Sequence, residues 1–152
     1  MLENGASAGR LYGESLSLSL LSYMLNHIPA PLAGVRGALS EVQCRRLARH
    51  IRERLGEDLG LAELASLTGL GSRQFSRLFR DAFGATPHQY LLHQRLDEGA
   101  RQLAVSSADI AEIALSLGFS SQSHFTTAFR KRFNQTPRQY AMDNRRRRRV
   151  VF

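Results

Sequence analysis

The chain has 152 residues, 43% of them hydrophobic, which is the length of one domain with enough apolar side chains for a core. Its formal net charge is +8, and Lys131 is the one lysine among 21 basic residues. Arginine suits phosphates and guanine edges, so nucleic acid is the leading partner class, with an ordinary solvated basic surface as the alternative. The single cysteine, Cys44, excludes an intramolecular disulfide framework and a zinc site built on cysteines.

Several functional classes lack their sequence signals. The N-terminus carries no secretory signal, and the apolar stretch at 16–25 is interrupted by serines and too short to cross a bilayer. A glycine-rich phosphate loop, a G-x-S-x-G elbow and a metal-ligand cluster are absent from the sequence, and His88 and His93 are spaced wrongly for a metal pair on one helix face. We therefore expect a cytoplasmic protein that is not an enzyme, has no cofactor or metal and has no membrane partner.

The N-terminal segment GRLYGESLSLSLLSYML at 9–25 is ambiguous. Alternation of serine and leucine from Ser15 to Leu20 favours a strand, whereas Leu16, Leu20 and Met24 recur at a spacing of four, which favours a helix.

An internal repeat occupies the next part of the chain. LAELASLTGL at 61–70 resembles IAEIALSLGF at 110–119, and FSRLFRDAFGATPHQY at 75–90 resembles FTTAFRKRFNQTPRQY at 125–140. Each copy begins with a short apolar helix and continues through Gly69 or Gly118, a residue type that can adopt the left-handed conformation of a turn. A second helix then begins near Ser72 or Ser121, whose hydroxyls can cap it. Each copy is therefore predicted to be a helix-turn-helix unit, at 60–86 and 109–136.

The second helix of each copy has two faces. The aromatic stripe is predicted to be core and comprises Phe75, Phe79 and Phe83 in the first copy and Phe125, Phe129 and Phe133 in the second. The opposite face carries Arg73, Ser76, Arg77 and Arg80 in the first copy and Ser123, Thr126, Thr127 and Arg130 in the second. Because these positions include no acid, a random polar surface is the weaker interpretation.

Each copy ends at a helix start. Thr86, Pro87 and Gln89 form the pattern of a capping box with proline at the first helical position, and Thr136, Pro137 and Gln139 repeat it. The segment 87–103 between the copies is predicted to be a helix about 26 Å long, although Gly99 weakens it by about 1 kcal/mol. A stiff spacer of this length could place two helices about 34 Å apart, one turn of duplex DNA.

These segments, together with QRLDEGARQL between them, resemble the DNA-binding domain of AraC/XylS-type transcription regulators over residues 40–143. The resemblance implies an all-α fold of seven helices, with two helix-turn-helix units joined by a long central helix. The first helix would run from Ser40 to about Leu55 and open with a capping box of Ser40 and Gln43. Residues 1–39 would be a linker segment with a helix, the remnant of an upstream sensor and dimerisation region. The chain would then be a fragment of a longer regulator or a short one.

The resemblance also implies a function and its residues. Double-stranded DNA would be the partner, RNA polymerase a further one, and activation is favoured over repression; the protein would act as a monomer or as a weak homodimer through the N-terminal helix. The phosphate-contacting residues would be Arg80 and Arg130. The base-reading residues would be Arg73, Gln74, Ser76, Arg77, Gln122, Ser123, His124, Thr126 and Thr127.

Two interpretations stay open at this point. His124 is either a DNA contact or a capping and packing residue. Residues 144–152 form a basic tail containing RRRRR, which we expect to be a flexible arm that adds phosphate contacts, with a merely solvated tail as the alternative. The alternative function for the whole chain is a protein-interaction module or a DNA binder without regulatory specificity.

Overall fold

The computed structural model describes residues 37–150, with side chains described up to residue 148, and this part of the chain is all-helical. Its seven helices are α1 (Glu41–Glu53), α2 (Leu61–Ser66), α3 (Ser72–Phe83), α4 (Pro87–Val105), α5 (Ile110–Ser116), α6 (Gln122–Phe133) and α7 (Pro137–Val150). The predicted all-α fold is confirmed, with helix-turn-helix units α2–α3 and α5–α6 joined by the central helix α4. The predicted N-terminal helix lies outside the described residues.

Capping boxes begin three of the helices, as their sequences predict. At the start of α4, the Gln89 backbone N–H donates to Thr86 Oγ1 at 3.3 Å, and the Thr86 N–H donates to Gln89 Oε1 at 3.2 Å. Thr136 and Gln139 form the same pair of bonds before α7, at 3.3 and 3.0 Å. A third box, formed with Ser40, begins α1. Because these bonds join residues three apart, they depend on local sequence alone.

The two units bury matching aromatic clusters. Phe79 packs edge-on against Tyr90, with ring centroids 5.5 Å apart at an interplanar angle of 77°. Phe129 and Tyr140 repeat this geometry at the same distance and angle. The remaining core residues are mostly aliphatic and come from the short first helix, from the helices on either side and from the segments between helices, where Phe119 is a further aromatic residue. The sequence repeat is therefore a structural repeat with one core in each copy.

The central helix α4 contributes to both cores. Leu91 near its beginning packs in the first core, and Leu96, Ala100 and Leu103 pack in the second. Gly99 is not simply a weak point of this helix. A Cβ atom there would lie 2.9 Å from the ring of Phe125, so the glycine allows α6 to pack closely against α4.

One of the two predicted serine caps needs correction. Ser72 does not cap α3, because it is already the first helical residue, and the N-cap is Gly71, which has no side chain to donate or accept a bond. Ser121 does cap α6, accepting from the His124 N–H at 3.1 Å. The two turns differ because the second copy has one extra residue there, so the equivalent of Ser121 is Gly71.

Residues 144–150 of the basic tail are helical, where the sequence predicts a flexible arm. Helix α7 continues to Val150, and the arginines at 145–148 are exposed on it. Arginine is a good helix former, and positive charge at a C-terminus interacts favourably with the helix dipole. The Asn144 side chain also donates to the Tyr140 carbonyl oxygen at 2.8 Å, which is consistent with a continuous helix.

Candidate nucleic-acid interface

The outer face of α3 is basic and exposed. Arg73, Gln74, Arg77 and Arg80 are all exposed to solvent. Within residues 37–150, none of these three arginines forms an ion pair, so their guanidinium groups have no competing carboxylate there. Ser76 is half-buried, and its hydroxyl donates to the Ser72 carbonyl oxygen at 2.9 Å. Its proton is therefore used within the helix, and its oxygen remains an acceptor.

The outer face of α6 is polar at its beginning and basic at its end. Gln122, Ser123 and Thr127 are exposed, and Thr126 is half-buried. A shallow groove then follows the helix toward its C-terminus, lined by Thr126, Thr127, Arg130, Lys131, Asn134 and Thr136. The groove brings two predicted base-reading residues together with the predicted phosphate contact Arg130.

Lys131 also lines this groove, although the sequence does not predict it as a DNA contact. It follows Arg130 and is exposed. The sequence alignment of the two copies could have identified it, because Lys131 occupies the position equivalent to Asp81, so the second copy has a base where the first has an acid. Helix α6 therefore carries its positive charge at the C-terminal end, whereas α3 carries arginines along its length.

His124 has the packing role that its sequence context left open, and its contact with DNA stays a prediction. Its Nδ1 lies 3.3 Å from the Ser120 hydroxyl, and its ring packs edge-on against Phe119 with centroids 5.4 Å apart. The residue nevertheless remains exposed at the beginning of α6. These contacts orient the imidazole without burying it.

A network of charged side chains joins α1 to α2 in the first unit. Arg54 forms ion pairs with Glu57 and Glu63, and Glu63 also lies 3.1 Å from His50 Nε2. The hydrogen bond to His50, assisted by the one from Arg54, lowers the pKa of Glu63 below its ordinary value. The equivalent residue of the second unit, Glu112, is exposed.

A bidentate ion pair connects α6 to the central helix α4. Arg132 Nε and Nη2 donate to the two carboxylate oxygens of Asp97, both at 2.9 Å. Ala82 occupies the equivalent position of the first unit and cannot form such a bond. Both residues of the pair are partly exposed, so we expect it to orient α6 more than to stabilise the fold.

The remaining reactive groups of the described residues include one thiol. Cys44 is half-buried on α1, and burial, together with the nearby charge of Glu41, raises the pKa of its thiol. Among residues 37–148, no three histidine, cysteine or acidic side chains come together as a metal site would require. Between residues 37 and 150, no helix combines the length and apolar character needed to cross a membrane.

Paired helix-turn-helix units with exposed, arginine-bearing second helices define the class of helix-turn-helix DNA-binding domains. A family model described as "Helix-turn-helix domain" matches residues 64–143. Together with the solved structures, this match shows that the chain belongs to the AraC-type family of DNA-binding transcription regulators. This is a family of regulatory DNA-binding domains and not a class of enzymes.

Named relatives agree with this assignment. The chain is 38% identical over 91 residues to the probable transcriptional regulator LumQ of Photobacterium leiognathi, a match that covers 60% of this chain and 37% of LumQ. It is 27% identical over 125 residues to the regulator MtrA of Neisseria gonorrhoeae, covering 82% of this chain and 42% of MtrA. The chain thus spans less than half the length of either relative.

Solved structures share the fold of the described region. An AraC-type transcriptional regulator from Chromobacterium violaceum has a TM-score of 0.64 and 31% identity, with 67% of this chain and 91% of that chain covered. The DNA-binding domain of the global transcriptional factor AdpA, solved in complex with a target DNA, has a TM-score of 0.65 and 30% identity. That match covers 68% of this chain and 94% of the AdpA domain.

Proposed function

We propose that this protein binds specific sites on double-stranded DNA and regulates transcription, with α3 and α6 entering successive major grooves on one face of the duplex. The observation that carries this proposal is the repeated presentation of an exposed, basic or polar recognition face on two equivalent helices. The central helix has 19 residues and is about 28 Å long, which is comparable with the roughly 34 Å of one DNA turn. The AdpA domain, which shares the fold, was solved with its target DNA.

The two recognition helices divide the contacts by chemistry. Arg73 and Arg77 can each form two hydrogen bonds to a guanine edge, whereas Thr126 and Thr127 offer single bonds and a methyl contact. Arg80, Arg130 and Lys131 lie nearer the C-terminal ends and are assigned to phosphates, which position the domain without reading sequence. Gln74, Ser76, Gln122, Ser123 and His124 complete the base-facing set.

We further propose that the protein acts in the cytoplasm and activates transcription by contacting RNA polymerase beside the promoter, as the family resemblance favours. Two units in one chain allow a monomer to occupy a bipartite site. A weak homodimer through the N-terminal segment is the alternative. Transcription in vitro from a promoter carrying the selected site would distinguish activation from repression.

The first experiment is selection of bound sequences from a random duplex library. The expected product is a bipartite motif whose halves are centred about 10 base pairs apart, bound at least about a hundredfold more tightly than a scrambled duplex. Affinity is then measured against salt concentration for both duplexes. Equal and steeply salt-dependent binding to both would overturn sequence-specific recognition.

A matched pair of variants tests the assignment of phosphate contacts. Arg130→Ala should lower the slope of log affinity against log salt by about 1 on every sequence. Arg101→Ala removes the same charge from an exposed position on α4, where Arg101 pairs with Glu98, and should leave the slope nearly unchanged. The assignment of Arg130 fails if the two variants have the same slope.

One observation favours a second candidate, non-specific DNA binding. The helical, exposed arginines at 145–148 form a dense positive segment beyond the second unit. Such a segment binds phosphates without reading bases. Truncation after residue 144 should therefore weaken binding to the selected and scrambled duplexes alike, and the specificity ratio should rise or remain constant.

A further inference from the structure

Arg95 on the central helix donates hydrogen bonds to three backbone carbonyl groups. Its Nε donates to the Leu55 oxygen at 2.7 Å, and its Nη2 donates to the Glu57 oxygen at 2.7 Å. Its Nη1 donates to the Gly118 oxygen at 3.2 Å. The first two acceptors follow α1 in the first half of the domain, and the third lies in the turn of the second unit. One side chain therefore links both halves to the helix between them.

The backbone around Arg95 is closely packed. A Cβ atom on Gly56 would overlap the Ser116 carbonyl oxygen, so the loop after α1 touches the end of α5 directly. A Cβ atom on Gly118 would lie 2.8 Å from Arg95 Nη2 and 3.1 Å from the Gly56 oxygen. The Leu55 side chain packs against the cores of both units. We call these residues, Arg95, Leu55, Gly56, Glu57, Ser116 and Gly118, the junction.

Arginine is required for this arrangement. Its planar guanidinium group presents five N–H donors in fixed directions, whereas a lysine ammonium is a point donor on a flexible chain. Among residues 37–148, no carboxylate forms an ion pair with Arg95, so its bonding capacity is directed to the three carbonyl groups. Its partial burial is consistent with a structural use of the charge.

We infer that Arg95 is a positioning residue that fixes the separation and rotation of the two recognition helices, and so sets which half-site spacing the protein accepts. Without the junction, the two units would be connected only through the central helix. The junction adds a second connection, through the loop after α1, and so prevents the units from turning about α4. This inference rests on the proposed function, because spacing matters only for a bipartite DNA site.

The test compares Arg95→Met with Arg101→Met, which removes the same charge from the same helix at an exposed site. Affinities are measured for the selected bipartite duplex and for duplexes with one base pair inserted or deleted between the halves. Each such change moves one half-site by about 3.4 Å and rotates it by roughly 34°. The unmodified protein and Arg101→Met should lose about tenfold or more in affinity on the altered spacings.

Arg95→Met should bind the best spacing about tenfold more weakly than Arg101→Met and should discriminate among the three spacings by less than about threefold. Its affinity for a single half-site should equal that of Arg101→Met, because each recognition surface is intact. An unchanged spacing preference in Arg95→Met would overturn the inference. A failure of the unmodified protein to prefer the selected duplex would instead overturn the proposed function.

A second measurement needs no DNA. Spin labels are placed on cysteines at Asp81 and Lys131, which are exposed and equivalent positions of α3 and α6, in a Cys44→Ala background. The distance distribution between the labels should be narrow and should broaden in Arg95→Met but not in Arg101→Met. Distance distributions of equal width in Arg95→Met and Arg101→Met would contradict the inference, even if the protein does not bind DNA.

Gly56→Ala tests the junction without altering Arg95. Its new methyl group would meet the Ser116 oxygen and separate the two backbones. We expect the same broadening and the same loss of spacing preference, which also covers the case in which Arg95→Met does not fold. A folded Gly56→Ala protein that keeps the narrow distance distribution and the preference for one half-site spacing would contradict the inference.

Discussion

Gly69 and Gly118 occupy equivalent turns of the two units, with φ angles of 71° and 76°, but their surroundings differ. Nothing lies within 4 Å of a Cβ atom built on Gly69, whereas one built on Gly118 meets Arg95 and the Gly56 backbone. The repeated sequence thus forms one open turn and one turn enclosed by the rest of the domain. Repetition preserves the local conformation, and the position in the chain decides what that conformation contacts.

The cores of the two units should respond alike to truncation. Phe79 and Phe129 are fully buried with the same aromatic neighbours, so Phe79→Ala and Phe129→Ala should each destabilise the fold by about 3–5 kcal/mol. Urea unfolding measures both, and Val105→Ala, at an exposed position, is the control. A difference above about 2 kcal/mol between the two sites would show that the cores are not equivalent. Phe→Leu variants rank the sites if the alanine variants do not fold.

The two turns should respond differently to the same substitution. Alanine in the left-handed conformation costs about 1 kcal/mol at either glycine. Gly118→Ala also crowds Arg95 and Gly56, so we expect about 3 kcal/mol in total against about 1 kcal/mol for Gly69→Ala. Thermal unfolding of both variants provides the measurement. Equal losses would mean that the enclosed turn relaxes without cost.

The recognition faces should differ in how sharply they read DNA. Arg77 and Thr127 are equivalent positions, and arginine can bond a guanine edge twice. Arg77→Ala should reduce discrimination at one base position by about 1–3 kcal/mol, and Thr127→Ala should reduce it by less than about 1 kcal/mol. Affinities for single-base variants of the selected site measure this. The expected order is wrong if Thr127→Ala relaxes specificity more than Arg77→Ala does.

The smallest expected difference concerns acid stability. Because the folded protein lowers the pKa of Glu63, this carboxylate stabilises the fold above its ordinary pKa of about 4.3, and the contribution is lost as pH falls through the lower, folded value. The Glu63→Gln variant should therefore lose slightly less stability than the unmodified protein when the pH falls from 6 to 3. Glu112→Gln, at the equivalent exposed position, is the matched control. Identical urea midpoints for both variants at each pH would contradict this expectation.

Features that depend on neighbouring residues could be predicted from the sequence. Thr86 with Gln89, and Thr136 with Gln139, form bonds three residues apart, so the helix starts follow from the local pattern. Aromatic spacing likewise identified the buried faces of α3 and α6. The Ser72 cap was wrong because the length of the turn, and not the residue type alone, decides which position precedes the helix.

Features that depend on distant residues could not be predicted. Arg95 bonds carbonyl groups 23 to 40 residues away, and Gly99 makes room for Phe125 on another helix. Alone, Gly99 signals only a weaker helix, and Arg95 is one arginine among many. The helix at 144–150 is a separate case, since a run of like charge suggests disorder, whereas the helix that begins at Pro137 continues through it. The DNA contacts of the recognition faces stay predictions.

Helix α4 supplies Leu91 to the first core and Leu96, Ala100 and Leu103 to the second, and Leu55 packs against both cores, so the two cores are joined by α4 and by a shared side chain. Removing one half would expose an apolar face of this helix to water. We therefore expect the two units to unfold together, as one cooperative domain, and not independently. We expect a single calorimetric transition whose calorimetric and van't Hoff enthalpies agree, even though the chain contains the same motif twice.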